Sequence, residues 1–219
     1  MNDNMPAPKR LATRLGRRTI LAAAGALFFA AALPVADAYA QSSVAQKIAD
    51  HFSSVKTMAG EFVQFGPNGQ QTGGKFYLER PGKIRFNYEA PSPLRVIADG
   101  RSVVLGNQKL KTWSIYPLSK TPLKLLLDNR IDLKGSMVRD IKEEPDLITI
   151  KLGDRSIFGD QTITMMFDPK TYDLRQWTIT DNQGKDTTVM IFNIQTGLAF
   201  DKRVFAIPYH EVQNQHRGR

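Results

Sequence analysis

From Phe62 to Ile194 apolar and polar residues alternate in short runs. A new run begins about every ten residues, the spacing of an all-β meander. The runs are Phe62 with Gln64, then 76–78, 84–88, 94–96, 103–105, 111–116, 137–141, 147–152, 163–167, 174–179 and 188–194, the early ones closed by Gly, Pro or Asn. Side chains on a strand point to opposite faces in turn, so each run offers one apolar and one polar face. A sheet of about ten such strands has one face to bury, and the two short helices the chain also supplies cover only part of it. The pattern therefore calls for a mainly β fold, an incomplete, half-open antiparallel β-barrel whose sheet curls on itself while the helices plug the mouth. Such a sheet has an apolar cleft built into it.

The helices are legible from spacing. Val44, Ile48, Phe52 and Val55 recur at intervals of four, four and three, with Gln46, Lys47, Asp50 and Lys56 on other faces. That predicts an N-terminal amphipathic helix with Ser42 or Ser43 as its N-cap. In 121–128, Thr121 supplies a cap, Pro122 a first helical position and the leucines that follow an apolar turn, so a short helix is expected within the strand series. A strand is the alternative there, because short apolar runs fit either element. From His210 the chain is polar and basic without an apolar period, which predicts a disordered tail over 210–219.

Composition narrows the function classes. With no cysteine, disulfide scaffolds, thiol catalysis, Cys-ligated zinc and iron–sulfur clusters are excluded. The 30 Lys plus Arg against 21 Asp plus Glu give +9, a balance that suits nucleic acid, an anionic membrane surface or an acidic partner. Part of that charge is an address. Lys9, Arg10, Arg14, Arg17 and Arg18 precede an apolar run from Ile20 to Leu33, too short for a hydrocarbon core of about 30 Å. Ala38-Tyr39-Ala40 then supplies the small residues signal peptidase requires. Residues 1–40 read as a cleavable signal peptide, 41–209 as the domain. An uncleaved anchor is the alternative, and Arg17-Arg18 also resembles a twin-arginine signal. Without its first 40 residues the chain keeps 25 cations against 19 anions, or +6. Export argues for a periplasmic protein and against nucleic acid as a partner.

The catalytic inventory is short. His51, His210 and His216 form no HExxH or other ligand pair, so no metal site is expected. Ser53-Ser54-Val55-Lys56 spells SxxK but lacks the companion SDN and KTG motifs and finishes an amphipathic helix, so it reads as coincidence. Gly66-Pro67-Asn68-Gly69 and Gly73-Gly74 mark a hairpin turn and not a phosphate loop. Glu143 and Glu144 are adjacent, and adjacent carboxylates on a strand face opposite ways. No catalytic residue, enzyme activity or cofactor is expected. The densest cluster is 76–91, a hairpin turning at Pro81-Gly82, whose Phe76, Leu78, Ile84, Phe86 and Tyr88 make one aromatic and aliphatic face. An ordinary packed core is the plain reading of that face.

The stretch Leu78-Glu79-Arg80-Pro81-Gly82-Lys83-Ile84-Arg85-Phe86-Asn87-Tyr88 resembles the Arg-Pro-Gly hairpin of the periplasmic outer-membrane lipoprotein carrier proteins, the LolA family. Ile97-Ala98-Asp99-Gly100-Arg101 is similar to the Asp-Gly turn that follows it there. Tyr116-Pro117-Leu118 and Thr121-Pro122-Leu123-Lys124-Leu125-Leu126-Leu127 are similar to its Thr-Pro-Leu helix. The ordered set spans nearly all of 41–209. The chain departs from the family at Val104 and Gly106, where Trp and Tyr are common, and in the reduced ending Phe205-Ala206-Ile207-Pro208.

The resemblance implies a half-open barrel with a short helical lid, holding the acyl chains of lipoproteins in transit between membranes. It implies acylated lipoproteins as cargo, an inner-membrane ATP-driven releasing complex as donor and an outer-membrane acceptor, with the carrier itself a monomer. By position Arg80 matches the arginine that links barrel rim to lid, and Phe52, Phe86, Tyr88, Leu123 and Leu126 match cavity or lid positions. Phe62, Phe76 and Leu78 complete the expected ligand-binding wall. Two alternatives stand beside this reading: a carrier of another amphiphilic lipid, and an envelope-stress sensor that binds a regulatory membrane protein.

Overall fold

The computed structural model describes residues 36–131, 133 and 137–217; of the signal peptide expected over residues 1–40, residues 1–35 lie outside them. Each of the eleven alternating runs falls in a strand: β1 Thr57–Phe65, β2 Gln71–Glu79, β3 Lys83–Tyr88, β4 Leu94–Asp99, β5 Ser102–Asn107, β6 Thr112–Pro117, β7 Val138–Glu143, β8 Ile148–Leu152, β9 Thr162–Phe167, β10 Leu174–Thr180 and β11 Asp186–Thr196. They form one antiparallel sheet in the order β6-β5-β4-β3-β2-β1-β11-β10-β9-β8-β7. Because β1 pairs with both β2 and β11, the sheet grows outward in two arms from the middle. The edges β6 and β7 do not pair with each other, so the barrel stays half-open.

Helix α1 (Ala36–Ser54) precedes the sheet, and α2 (Leu123–Leu127) lies in the segment that joins the two edge strands. The expected cap at Ser42 or Ser43 is a correction: α1 begins at Ala36, since the alanine-rich 36–40 stretch favours helix and extends it upstream. The 121–128 segment is helical, with Pro122 at the N-cap position. Helix α1 buries Ala45, Ile48, Ala49 and Phe52, and α2 buries Leu123, Leu125, Leu126 and Leu127. Both join the inner faces of the strands in a single hydrophobic cluster. Ring contacts tie it across the interior: Phe52 of α1 meets Phe167 of β9 at 5.6 Å, and Phe86 of β3 meets Trp177 of β10 at 6.1 Å.

Two glycines shape the β1–β3 region. Gly74 lies between Phe62 and Tyr88 in the ladder. A Cβ there would sit 2.0 Å from the Asn87 carbonyl oxygen, and its absence lets the Phe62 and Tyr88 rings meet across β2 at 5.1 Å. Gly82 turns the β2–β3 hairpin at φ 78°, where a Cβ would fall 2.7 Å from the Gly100 Cα. Backbone strain of about 1–3 kcal/mol follows from a side chain at such a position. Gly82→Ala is expected to lower the midpoint of thermal unfolding by several degrees in a circular dichroism melt, while alanine at the open-sided Gly69 costs less.

The tail is also a correction. In place of disorder from residue 210, α4 forms at Tyr209–Arg217. Ile207 and Val212 pack with Ile97, Val104 and Trp113 in a second, smaller cluster on the outer face of β4–β6, and the Tyr209 hydroxyl donates to Asp99 Oδ2 at 2.7 Å. One buried valine and one anchored tyrosine hold a segment too polar to show a period. Helix α3 (Arg155–Phe158), absent from the sequence expectations, buries Phe158 between the Asp154 cap and Gly159.

Candidate functional site

The structure brings the expected wall together. Phe52, Phe62, Phe76, Leu78, Phe86, Leu123 and Leu126 all lie in the main cluster, none more than 8% exposed, and Tyr88 packs half-buried against it. Alternation explains the gathering: Phe62 from β1, Phe76 and Leu78 from β2, and Phe86 and Tyr88 from β3 occupy the same side of adjacent strands. Phe86 sits 4.9 Å from Phe62 between ring centroids. In this state the apolar face of the sheet is filled by the protein's own α1 and α2.

Arg80 bridges the ends of both helices. Only 6% exposed, it leaves the end of β2 beneath the Phe52 ring, its guanidinium carbon 4.3 Å from the ring centroid. Its Nε donates to the Val55 carbonyl just after α1 at 3.1 Å, and its Nη1 donates to the carbonyls of Leu126 and Asp128, the latter at 3.0 Å. The last carbonyls of a helix have no partner within it, so an arginine there satisfies them. Burial lowers the Arg80 pKa to about 10, opposed by the nearby Asp128 carboxylate, so the group stays charged at neutral pH. Its Nη2 is buried without a hydrogen bond among the described residues. The clasp is strong but incompletely satisfied.

Ser53 adds a second tie. Its buried hydroxyl donates to the Ala49 carbonyl at 2.5 Å and accepts the Ile131 N–H at 3.0 Å, joining α1 to the chain beyond α2. Lys56 Nζ donates to the Ser53 carbonyl at 3.1 Å. The SxxK residues thus serve the helix ending and the tie.

Toward the start of β4 and the end of β5 the inner face opens. Leu94 and Leu105 share the side of Val96, which packs against the core, yet they are 36% and 47% exposed. A cleft of about 580 Å³ lies at the Leu94 end of this edge, bounded by Thr72, the 89–93 turn, Leu94 and Asn107 together with Val63, Gln71 and Gly73 from the outer side of β1 and β2. These two leucines escape a search for aromatic stripes; their signal is alternation carried past the packed region. A second cleft of about 550 Å³ near α3 is lined by Arg139, Lys151 and Arg155 with Asp140, Asp154 and Asp160, a charged lining unsuited to hydrocarbon.

The arrangement is an apolar interior filled by two helices, with Leu94 and Leu105 exposed at one end of the inner face. No helix among the described residues is long and apolar enough to cross a membrane. Residues 53–208 match the family model for "Outer membrane lipoprotein carrier protein LolA". Two similar relatives are each called "Outer-membrane lipoprotein carrier protein". That of Methylococcus capsulatus is 26% identical over 176 residues, covering 76% of this chain and 84% of its own, and that of Pseudomonas aeruginosa is 26% identical over 202 residues, covering 86% and 92%. A solved LolA superfamily protein from Nitrosomonas europaea superposes with a TM-score of 0.41 at 8% identity, covering 75% of this chain and 98% of that one. With most of its length matched by the family model, the chain belongs to the LolA outer membrane lipoprotein carrier family.

Proposed function

We propose that this protein is a non-enzymatic periplasmic carrier that takes up the acyl chains of lipoproteins and shuttles them from the inner to the outer membrane. The observation that carries the reading is the apolar inner face of a half-open sheet, plugged by α1 and α2 and clasped by one buried arginine. Moving a 16-carbon acyl chain into water costs on the order of 12 kcal/mol, about 0.8 per methylene, so unassisted crossing is negligible. A carrier needs a wall that shields hydrocarbon yet binds it less tightly than the acceptor does. An aromatic and aliphatic wall meets that need, and a plug that fills the empty site limits its exposure to water.

In this reading Arg80 closes the lid α2, which presents Leu123 and Leu126, and α1, which presents Phe52, over the strand residues Phe62, Phe76, Leu78, Phe86 and Tyr88. Cargo arrives from an ATP-driven inner-membrane complex and leaves to an outer-membrane acceptor. Purified protein added to spheroplasts that display inner-membrane lipoproteins is expected to release them into the soluble fraction in proportion to its concentration. Release no greater than with a non-binding control protein would overturn the reading.

A further inference from the structure

We propose that Gln64, Thr72 and Tyr88 form a polar anchor at the open rim that binds the ester or amide carbonyls joining acyl chains to their head group. The inference deepens the carrier reading and rests on it.

Register brings the three together. Gln64 and Thr72 are direct partners in the β1–β2 ladder, and Tyr88 pairs with Gly74 on the next strand. All three stand on the side of Phe62 and Phe76, at the end of the hairpin away from Arg80. The Tyr88 hydroxyl donates to Gln64 Oε1 at 2.7 Å. Burial pushes the Tyr88 phenol up, with the Gln64 hydrogen bond acting the other way, so the hydroxyl keeps its proton. With the amide oxygen engaged, both N–H groups of Gln64 Nε2 remain to donate. The Thr72 hydroxyl is buried with no hydrogen bond among the described residues. Buried polar groups are rarely left unpaired, so the Thr72 hydroxyl calls for an acceptor from outside the protein, with the part-exposed Gln64 amide beside it as a second donor.

A carbonyl oxygen is an acceptor without a donor of its own, so it suits this pair and water-free hydrocarbon does not. Thr72 also borders the rim cleft with Leu94. An acyl linkage held there places its chains along the inner face toward Phe62 and Phe86, with the head group at the open edge. A plain alkyl chain gains only the wall; an ester or amide gains the anchor too.

The test uses the full chain preloaded with the fluorescent dye N-phenylnaphthylamine, displaced either by dioctanoylglycerol, which carries ester carbonyls, or by its dioctyl ether analogue, which does not. One hydrogen bond of ordinary strength predicts about tenfold tighter binding of the ester. Gln64→Leu and Thr72→Val should each remove most of that preference while lowering affinity for the ether, whose oxygens are weaker acceptors, far less; a circular dichroism melt reports that the variants are folded. Equal affinity of the unsubstituted protein for both probes would overturn the anchor alone. So would parallel loss of both affinities in both variants. If neither probe displaces the dye, the carrier reading falls and the anchor with it.

Discussion

Arg80→Leu is expected to open the empty protein. The substitution keeps apolar bulk beneath Phe52 but removes the donors to the carbonyls of Val55, Leu126 and Asp128. Hydrogen bonds from a charged donor contribute about 1.5–3 kcal/mol each. Against them stands the desolvation that holds the Arg80 pKa near 10, together with one buried nitrogen lacking a partner. A net loss of about 2–4 kcal/mol for the closed state results, a shift of roughly 30- to 1000-fold toward the open one. Amide exchange over α2 should accelerate by that factor and N-phenylnaphthylamine fluorescence should rise, while the global melting midpoint changes little. Arg80→Lys should recover only part, because an ammonium lacks the planar fork that reaches α1 and α2 at once. Unchanged exchange at 123–127 in Arg80→Leu would show that the clasp does not hold the plug.

Phe62→Ala is expected to produce the largest loss of stability. Phe62 is 1% exposed and meets Phe86 and Tyr88 edge-on at 4.9 and 5.1 Å. Its strand is the central one, paired on both sides, so the surroundings have little freedom to close over the cavity. Removing a buried phenylalanine costs about 3–5 kcal/mol. For a domain of this size that lowers the melting midpoint by roughly 6–20 °C. Phe65, three residues on, is 37% exposed on the other face and serves as the control; Phe65→Ala should shift the midpoint by no more than about 2 °C. Similar shifts for the two variants in thermal denaturation followed by circular dichroism would contradict the assignment of inner and outer faces.

Most strands were readable because their runs keep a period of two; 137–141 does not, since two apolar residues precede two charged ones there and β7 shifts register between Val138 and Asp140. Period alone did not supply strand order. That followed from β1 pairing with β11, a contact between chain positions some 130 residues apart that no local pattern encodes. Helix α4 was missed because its attachment rests on Val212 and Tyr209, too few apolar positions to form a stripe. The aromatic wall was visible as a face of the 76–91 hairpin, and Arg80 through the resemblance of that hairpin to a known one. Gln64 and Thr72 were not recognised as a site, although a polar residue two positions after Phe62 breaks the apolar side of β1, and that break is the signal. The Ser53 tie was hidden because its partner, the Ile131 N–H, lies 78 residues away, so a serine ending an amphipathic helix carries no local sign of the hydroxyl shared between α1 and the chain after α2.

The central claim is tested most directly by native mass spectrometry of the protein purified from the periplasm of cells co-expressing an acylated lipoprotein. The account predicts a one-to-one complex with the acylated lipoprotein in Arg80→Leu and in the unsubstituted protein, lost when the acylated cysteine of the cargo is replaced by serine. A complex that persists with the unacylated cargo, or a bound glycolipid in place of any lipoprotein, would contradict it.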